Sequence, residues 1–258
     1  MTPDFTSLQE YYDYWDNFVS LWRLGRYPCA PYLPEPWWGW TPGPEALHSV
    51  VLNMNPGAGG RLQSRGCVSC VMGCGGRNAT YSSAMADGTL RIHLADTDRW
   101  HLNRRHRPLM KALGVDEKNI AHDTRHHLSV ELMPFHDAAD NSRYCQENRE
   151  AVIRHALEFA ARASTFITPP DGVHSPEISL RNKVIVRCSP ETLLNSPGIQ
   201  GAPILQDRTP LAVGNGKIKV ETFRAANPEF KDVLFVCLWG AHNNLPAPES
   251  LTDILKSI

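Results

Sequence analysis

Two short stretches of this 258-residue chain carry side chains at spacings that suit chemistry. Cys67, Cys70 and Cys74 form a C-x2-C-x3-C pattern, and three thiolates so spaced can ligate zinc or an iron–sulfur cluster. A fourth ligand is usual, and Cys29 or a histidine of the set His93, His101, His106, His122, His126 and His127 could supply it. A small-residue loop with reduced thiols reads the same way. The second stretch is an apolar run that closes on Asn53-Met54-Asn55-Pro56-Gly57, with Gly59 and Gly60 behind it. Glycines after a strand let the backbone come close to a ligand, and in open parallel sheets ligands sit beyond the carboxyl ends of strands. An ordinary tight turn would use these residues too.

Several familiar loops are excluded by spacing. No Gly-Lys pair lies in or directly after this loop, so the phosphate loop G-x-x-x-x-G-K-[ST] is absent there. The dinucleotide pattern G-x-G-x-x-G, started at Gly57, fails at Leu62. There is no G-x-S-x-G nucleophile elbow. No histidine has Glu two residues later, which removes the zinc-deaminase signature.

A strand running into Asn55-Pro56-Gly57 resembles the first motif of the uracil-DNA glycosylase superfamily, in particular its mismatch-specific and single-strand-selective branches. Those branches usually have Gly where this chain has Asn53. A late strand, VLFVCLWG, leads into Ala241-His242-Asn243-Asn244-Leu245-Pro246, which is similar to the family's second motif, a His or Asn opening a loop that carries a Leu. Here Asn243-Asn244 replaces the usual Pro-Ser, and Leu245 comes one place early. The middle stretch HLSVELMPFHD is similar to a Glu-hydrophobic-Pro-aromatic-His segment of some members. The resemblance spans 45–250 as architecture and only these short motifs in detail.

The resemblance implies cleavage of an N-glycosidic bond in DNA, with catalytic roles for Asn55 and His242. Such cleavage builds positive charge on the sugar and negative charge on the base, so it needs a placed water, a donor to the base and a pocket for the flipped base. Asn55 would orient the water, although an amide cannot deprotonate it. His242 would donate to the leaving base. Phe135 would stack on the base, with Gly57 close by and Glu131 or His136 on its edge. A carboxylate prefers donor groups such as an amino group, which suits cytosine-type bases better than uracil. Leu245 would wedge into the gap left by flipping, and Asn243, Asn244, Arg61, Arg65 and Arg77 would lie along the DNA. The glycine-rich span 57–76 could admit a bulky base modification, as in foreign or phage DNA. Plain alternatives stand beside these roles: a turn acceptor for Asn55, an exposed loop for His242, core packing for Phe135. Glu131 lies in an apolar run, where an unpaired carboxylate is costly, so it should be paired, exposed at a strand end or functional.

These residues need a frame. Residues 5–24 carry apolar groups at helical spacing. The segment YPCAPYLPEPWWGWTPGP then reads as an ordered loop wrapping the body, with Trp37, Trp38 and Trp40 on the core edge or stacked on a ligand. Short, continuously apolar runs at 49–54, 127–133, 183–188 and 233–238 suit strands buried on both faces. Helical patterns occupy 104–113, 142–163 and 251–258, and the turn-rich segment 195–230 has room for a small hairpin. The expectation is one α/β domain over 1–258, with the N-terminal helix and wrap in 1–45. It would be a three-layer α/β/α sandwich around a central, mainly parallel four-stranded sheet.

Composition narrows the setting. With 42% hydrophobic residues the chain can bury a large core. A net charge of −1 excludes a generally basic nucleic-acid coat, so DNA contact would depend on clustered arginines, five of which fall in 91–107. Seven cysteines, an odd number, fit reduced thiols or a metal better than a disulfide framework. No signal-peptide pattern or membrane-length apolar run is present, so a cytoplasmic monomer with no membrane partner is expected. The chemistry requires no cofactor, with zinc or an iron–sulfur cluster possible at the cysteines. The alternatives are a non-catalytic nucleic-acid-binding protein of the same fold, a metal-binding protein using Cys67, Cys70 and Cys74, and a metal-dependent hydrolase using the histidines.

Overall fold

The apolar spacing near the N-terminus becomes a 3-10 turn (Thr6–Leu8) that runs into helix α1 (Gln9–Arg23). Its buried side chains Leu8, Tyr11, Tyr12, Trp15, Phe18 and Val19 recur every three or four residues and form one face. The computed structural model describes residues 4–24, 36–54, 80–82, 102–116, 124–134, 149–170, 178–194, 205–211, 218–239 and 245–258. Strands β1 (Trp37–Gly39) and β2 (Ser49–Asn53) precede helix α2 (Leu102–Ala112). Then come β3 (His127–Glu131), α3 (Arg149–Thr165), β4 (Lys183–Val186) and α4 (Pro190–Leu194). The chain closes with β5 (Leu205–Leu211), β6 (Lys219–Ala225), β7 (Leu234–Trp239) and α5 (Pro248–Ser257).

Among the described residues seven strands form one mixed sheet in the order β1-β3-β2-β4-β7-β6-β5. This corrects the expected four-stranded, mainly parallel sheet. The four strands expected from apolar runs, β2, β3, β4 and β7, are indeed parallel to their neighbours among themselves. They make the centre, and antiparallel strands extend both sides: β1 on β3, and the β6–β5 pair on β7. The Pro/Trp-rich segment is thus not all loop. Trp37–Gly39 is an edge strand, and Trp37 and Trp40 are fully buried rather than at the core margin. The β5–β6 pair falls in the turn-rich segment that had room for a hairpin.

Crossover handedness assigns the layers. From β2 the chain steps to β3 on one side, and from β3 it crosses back over β2 to β4 on the other. Right-handed crossovers in opposite directions lie on opposite faces, so the rule leads one to expect α2 and α3 on different faces of the sheet. Helix α3 packs on β2, β3 and β4 and against α1, while α5 packs against α2. Gly114, at φ 84°, closes α2 with Gly114 N on Lys111 O (3.0 Å) and Val115 N on Met110 O (3.0 Å). The structure therefore has α/β architecture, a mixed sheet with helices packed on it.

Side-chain alternation separates the two faces. Trp37 opposes Val130 in register and its ring meets Tyr12 of α1 (4.9 Å) and Phe159 of α3 (6.4 Å). Tyr11 stacks on Phe159 at 4.0 Å. Val50, Leu52, Leu128 and Val130 thus lie under α1 and α3. Their alternates, Ser49, Val51 and Asn53 on β2 and His127, Ser129 and Glu131 on β3, share the other face as cross-strand neighbours. One face of the central sheet is oily and the other carries a buried polar stripe.

Asn182 opens β4 in the left-handed region, at φ 60°. Its N–H donates to Ser164 O (3.0 Å) and its carbonyl accepts from Leu234 N (2.9 Å), so the turn ties α3, β4 and β7 together. Left-handed backbone costs a Cβ-bearing residue about 1–2 kcal/mol, with Asn and Gly the tolerated types. Asn182→Ala is expected to lose about 1 kcal/mol in urea unfolding while Asn182→Gly loses little. Equal losses would show that the side chain, not the backbone, matters there.

Candidate functional site

Three parallel strands end side by side on one edge of the sheet. Asn53 closes β2, opposite Glu131, which closes β3. Leu52 opposes Val186, so Arg187 leaves β4 at the same level. The parallel strands run β3-β2-β4-β7 across the sheet, and the chain reverses its direction of winding about β2. The crevice between the carboxyl ends of β2 and β4 is the switch point at which open α/β sheets bind ligands.

A buried polar network fills that position. The Asn53 amide nitrogen donates to Ser129 Oγ (2.6 Å) and Glu131 Oε1 (3.2 Å), and its Oδ1 accepts from Arg187 Nη1 (2.8 Å). Acceptors on one side and a cation on the other fix the orientation of the amide. Asn53 is 5% exposed and Glu131 3%, while Arg187 is half-buried. A carboxylate so buried is stable only with hydrogen-bonded partners, and Asn53 is one. The backbone locks the same corner: Arg187 N donates to Leu52 O (2.9 Å), Leu132 N to Asn53 O (2.8 Å) and Glu131 N to Pro36 O (3.0 Å). Burial pushes the Tyr11 phenol well above its ordinary range, and the nearby carboxylate of Glu131 adds to the rise.

The expected site residues divide clearly. Asn55, Gly57, Arg61, Arg65, Cys67, Cys70, Cys74 and Arg77 lie outside the described residues, as do Phe135, His136, His242, Asn243 and Asn244. What is described is where their segments begin: residue 55 follows Met54 off β2, and residue 240 follows Trp239 off β7, both at the carboxyl edge. Glu131 sits at that edge, paired and buried. It is 3% exposed and accepts from the Asn53 amide. Leu245 is 7% exposed and belongs to the hydrophobic core. A wedge must stand at a surface, so the wedge role is replaced by packing.

Three members of the network were not anticipated as site residues: Asn53, Ser129 and Arg187. The polar alternation His127-x-Ser129-x-Glu131 was the available signal for Ser129, since it marks one face of β3 as polar. For Arg187 no local signal exists.

A second polar group lies at the opposite, amino edge. Ser49 Oγ and His127 Nδ1 are 2.6 Å apart. His48 Nδ1 meets Thr168 O (2.9 Å), His126 Nδ1 meets Ala46 O (2.8 Å), and the His48 and His126 rings stack at 4.8 Å. Carbonyl partners make His48 and His126 structural ties near the strand starts. Among the described residues no group of three or more His, Cys, Asp or Glu side chains could hold a metal ion, and no helix is long and apolar enough to cross a membrane. Cys188 and Cys237 are buried free thiols.

No protein-family model matches this chain, and no curated protein or solved structure matches it either.

Proposed function

We propose that the chain hydrolyses the N-glycosidic bond of a damaged or modified base flipped out of DNA. The observation that carries this reading is the Asn53–Glu131–Arg187 network, which rigidly joins three parallel strand ends at the switch point from which the Asn55-Pro56-Gly57 segment departs. Glycosidic catalysis depends on a preorganised polar corner rather than on a strong nucleophile. In this scheme Asn55 orients the water and His242 donates to the base. Glu131 takes a different part from the one first expected. It holds Asn53, and through it Arg187, instead of reading the base edge.

Single-turnover cleavage of single- and double-stranded oligonucleotides bearing plain and bulky modified bases tests the reading. Wild type is expected to generate abasic sites on at least one base. Asn55→Ala and His242→Ala are each expected to slow cleavage by at least about 100-fold, the scale of one transition-state contact. Cleavage is expected to survive chelation, because no step uses a metal. Loss of activity with chelator would instead favour the metal-dependent hydrolase. Binding without cleavage on every base would favour the non-catalytic DNA-binding alternative, to which Asn243-Asn244 in place of Pro-Ser already points.

A further inference from the structure

The switch-point crevice holds a cation that the scheme above leaves without a chemical task. Arg187 follows β4 directly, is half-buried, and is fixed twice: its backbone N on Leu52 O at 2.9 Å and its Nη1 on Asn53 Oδ1 at 2.8 Å. The amide that holds it cannot turn, because its nitrogen is engaged by Ser129 and Glu131. A guanidinium stays charged at any working pH and gives up no proton, so it is no general acid. It supplies a permanent positive charge in fixed geometry at a site partly shielded from water. That arrangement favours whichever species gains negative charge during reaction.

We infer that Arg187 is a catalytic residue that stabilises the negative charge on the departing base, and that Asn53, braced by Ser129 and Glu131, is the residue that positions it. The inference rests on the glycosidic reading. In the step concerned, the bond between C1′ and the base nitrogen breaks and its electron pair leaves on the base, giving a base anion and a sugar cation. A water oxygen then bonds to C1′ and sheds one proton, and the base takes one up. One water is consumed, nothing is oxidised or reduced, and Arg187 exchanges no proton. The guanidinium lowers the energy of the anion and so matters most where the base leaves least readily.

The decisive measurement is the dependence of single-turnover rate on leaving-group quality. Full-length wild type, Arg187→Met and Arg187→Lys would each be given oligonucleotides whose pyrimidines carry 5-substituents graded from electron-withdrawing to electron-donating. Arg187→Met is expected to slow the best leaving group about 10-fold and the poorest about 100- to 1000-fold, the range for loss of one oxyanion-type contact. Arg187→Lys keeps the charge but not the fork, and is expected to fall between. A merely structural arginine would slow all bases alike, and an unchanged slope would overturn the inference. Should Arg187→Met fail to fold, as judged by circular dichroism and melting, the slope of Arg187→Lys decides in the same way. A wild type that cleaves no base refutes the glycosidic reading and this inference together. A wild type that cleaves with an Arg187-independent slope refutes the inference alone.

Discussion

Replacing Asn53 with alanine is expected to destabilise the protein by about 3–5 kcal/mol, the cost of breaking a buried charged network by removing one member. The residue does more than fill space. It gives a donor to a carboxylate that is 3% exposed and an acceptor to a half-buried guanidinium, and its amide reaches Ser129 as well. Alanine removes all three contacts at once and leaves groups whose desolvation has already been incurred. Asn53→Asp keeps the shape but turns the donor into a second carboxylate facing Glu131. It should be at least as damaging at neutral pH and partly relieved in acid, where one of the two carboxyls can take a proton. Val51→Ala, one step back on the same face and fully buried, is the control for volume alone. Urea unfolding with unchanged m-values would measure the differences. A loss below about 1 kcal/mol for Asn53→Ala would mean that the surrounding charges re-pair without it.

Much of the frame can be read along the chain, and the reasons for the exceptions are specific. The runs Val50-Val51-Leu52, Val184-Ile185-Val186 and Leu234-Phe235-Val236 are apolar without a break because the parallel centre is buried on both faces. β5 offers no such signal. Its sequence LQDRTPL is exposed along most of its length, and it exists because β6 supplies its hydrogen-bond partners. Pro210 and the register shift between Gln206 and Thr209 suit an edge, where a missing N–H and a local twist discourage further pairing. β1 is three residues long and follows a proline-rich segment, so its local composition argues for a loop. Its pairing with β3 is a tertiary fact.

The site is legible to the extent that its members break a local pattern. Glu131 stands out in an apolar run, and Asn53 stands out as a polar residue ending one. Arg187 stands out nowhere, since an arginine after a strand is unremarkable. Its meaning comes from Asn53, 134 residues earlier in the chain. Leu245 shows the converse. A leucine after a histidine-bearing loop fits a wedge by motif, yet the chain turns it inward to pack. Motif position does not say which way a side chain faces, and burial does.

Raising the pH from about 9 to about 12 is expected to erode wild-type stability by up to about 4 kcal/mol more than that of Cys188→Ala, at 1.36 kcal/mol for each unit of pKa difference. Burial pushes the Cys188 thiol from its ordinary 9.0 up to about 12. Cys237, on the neighbouring strand, is pushed well up by burial first and by Cys188 next. In the unfolded chain the thiol of Cys188 loses its proton near pH 9, whereas in the fold it holds it until about 12. Between those values the unfolded state binds fewer protons, so its share grows as pH rises. The contribution is fully present below about pH 9 and lost as pH climbs through the folded value. Cys188→Ala should lose on the order of 1 kcal/mol at neutral pH from the small cavity, so the two stability curves should cross in alkali. Parallel curves would show that the thiol is wet enough to ionise in place. The adjacent guanidinium does not rescue the thiolate, because alternation along β4 and its continuation sends Arg187 to the polar face and Cys188 to the oily one. The same alternation that delivers a charge to the switch point keeps its sequence neighbour neutral.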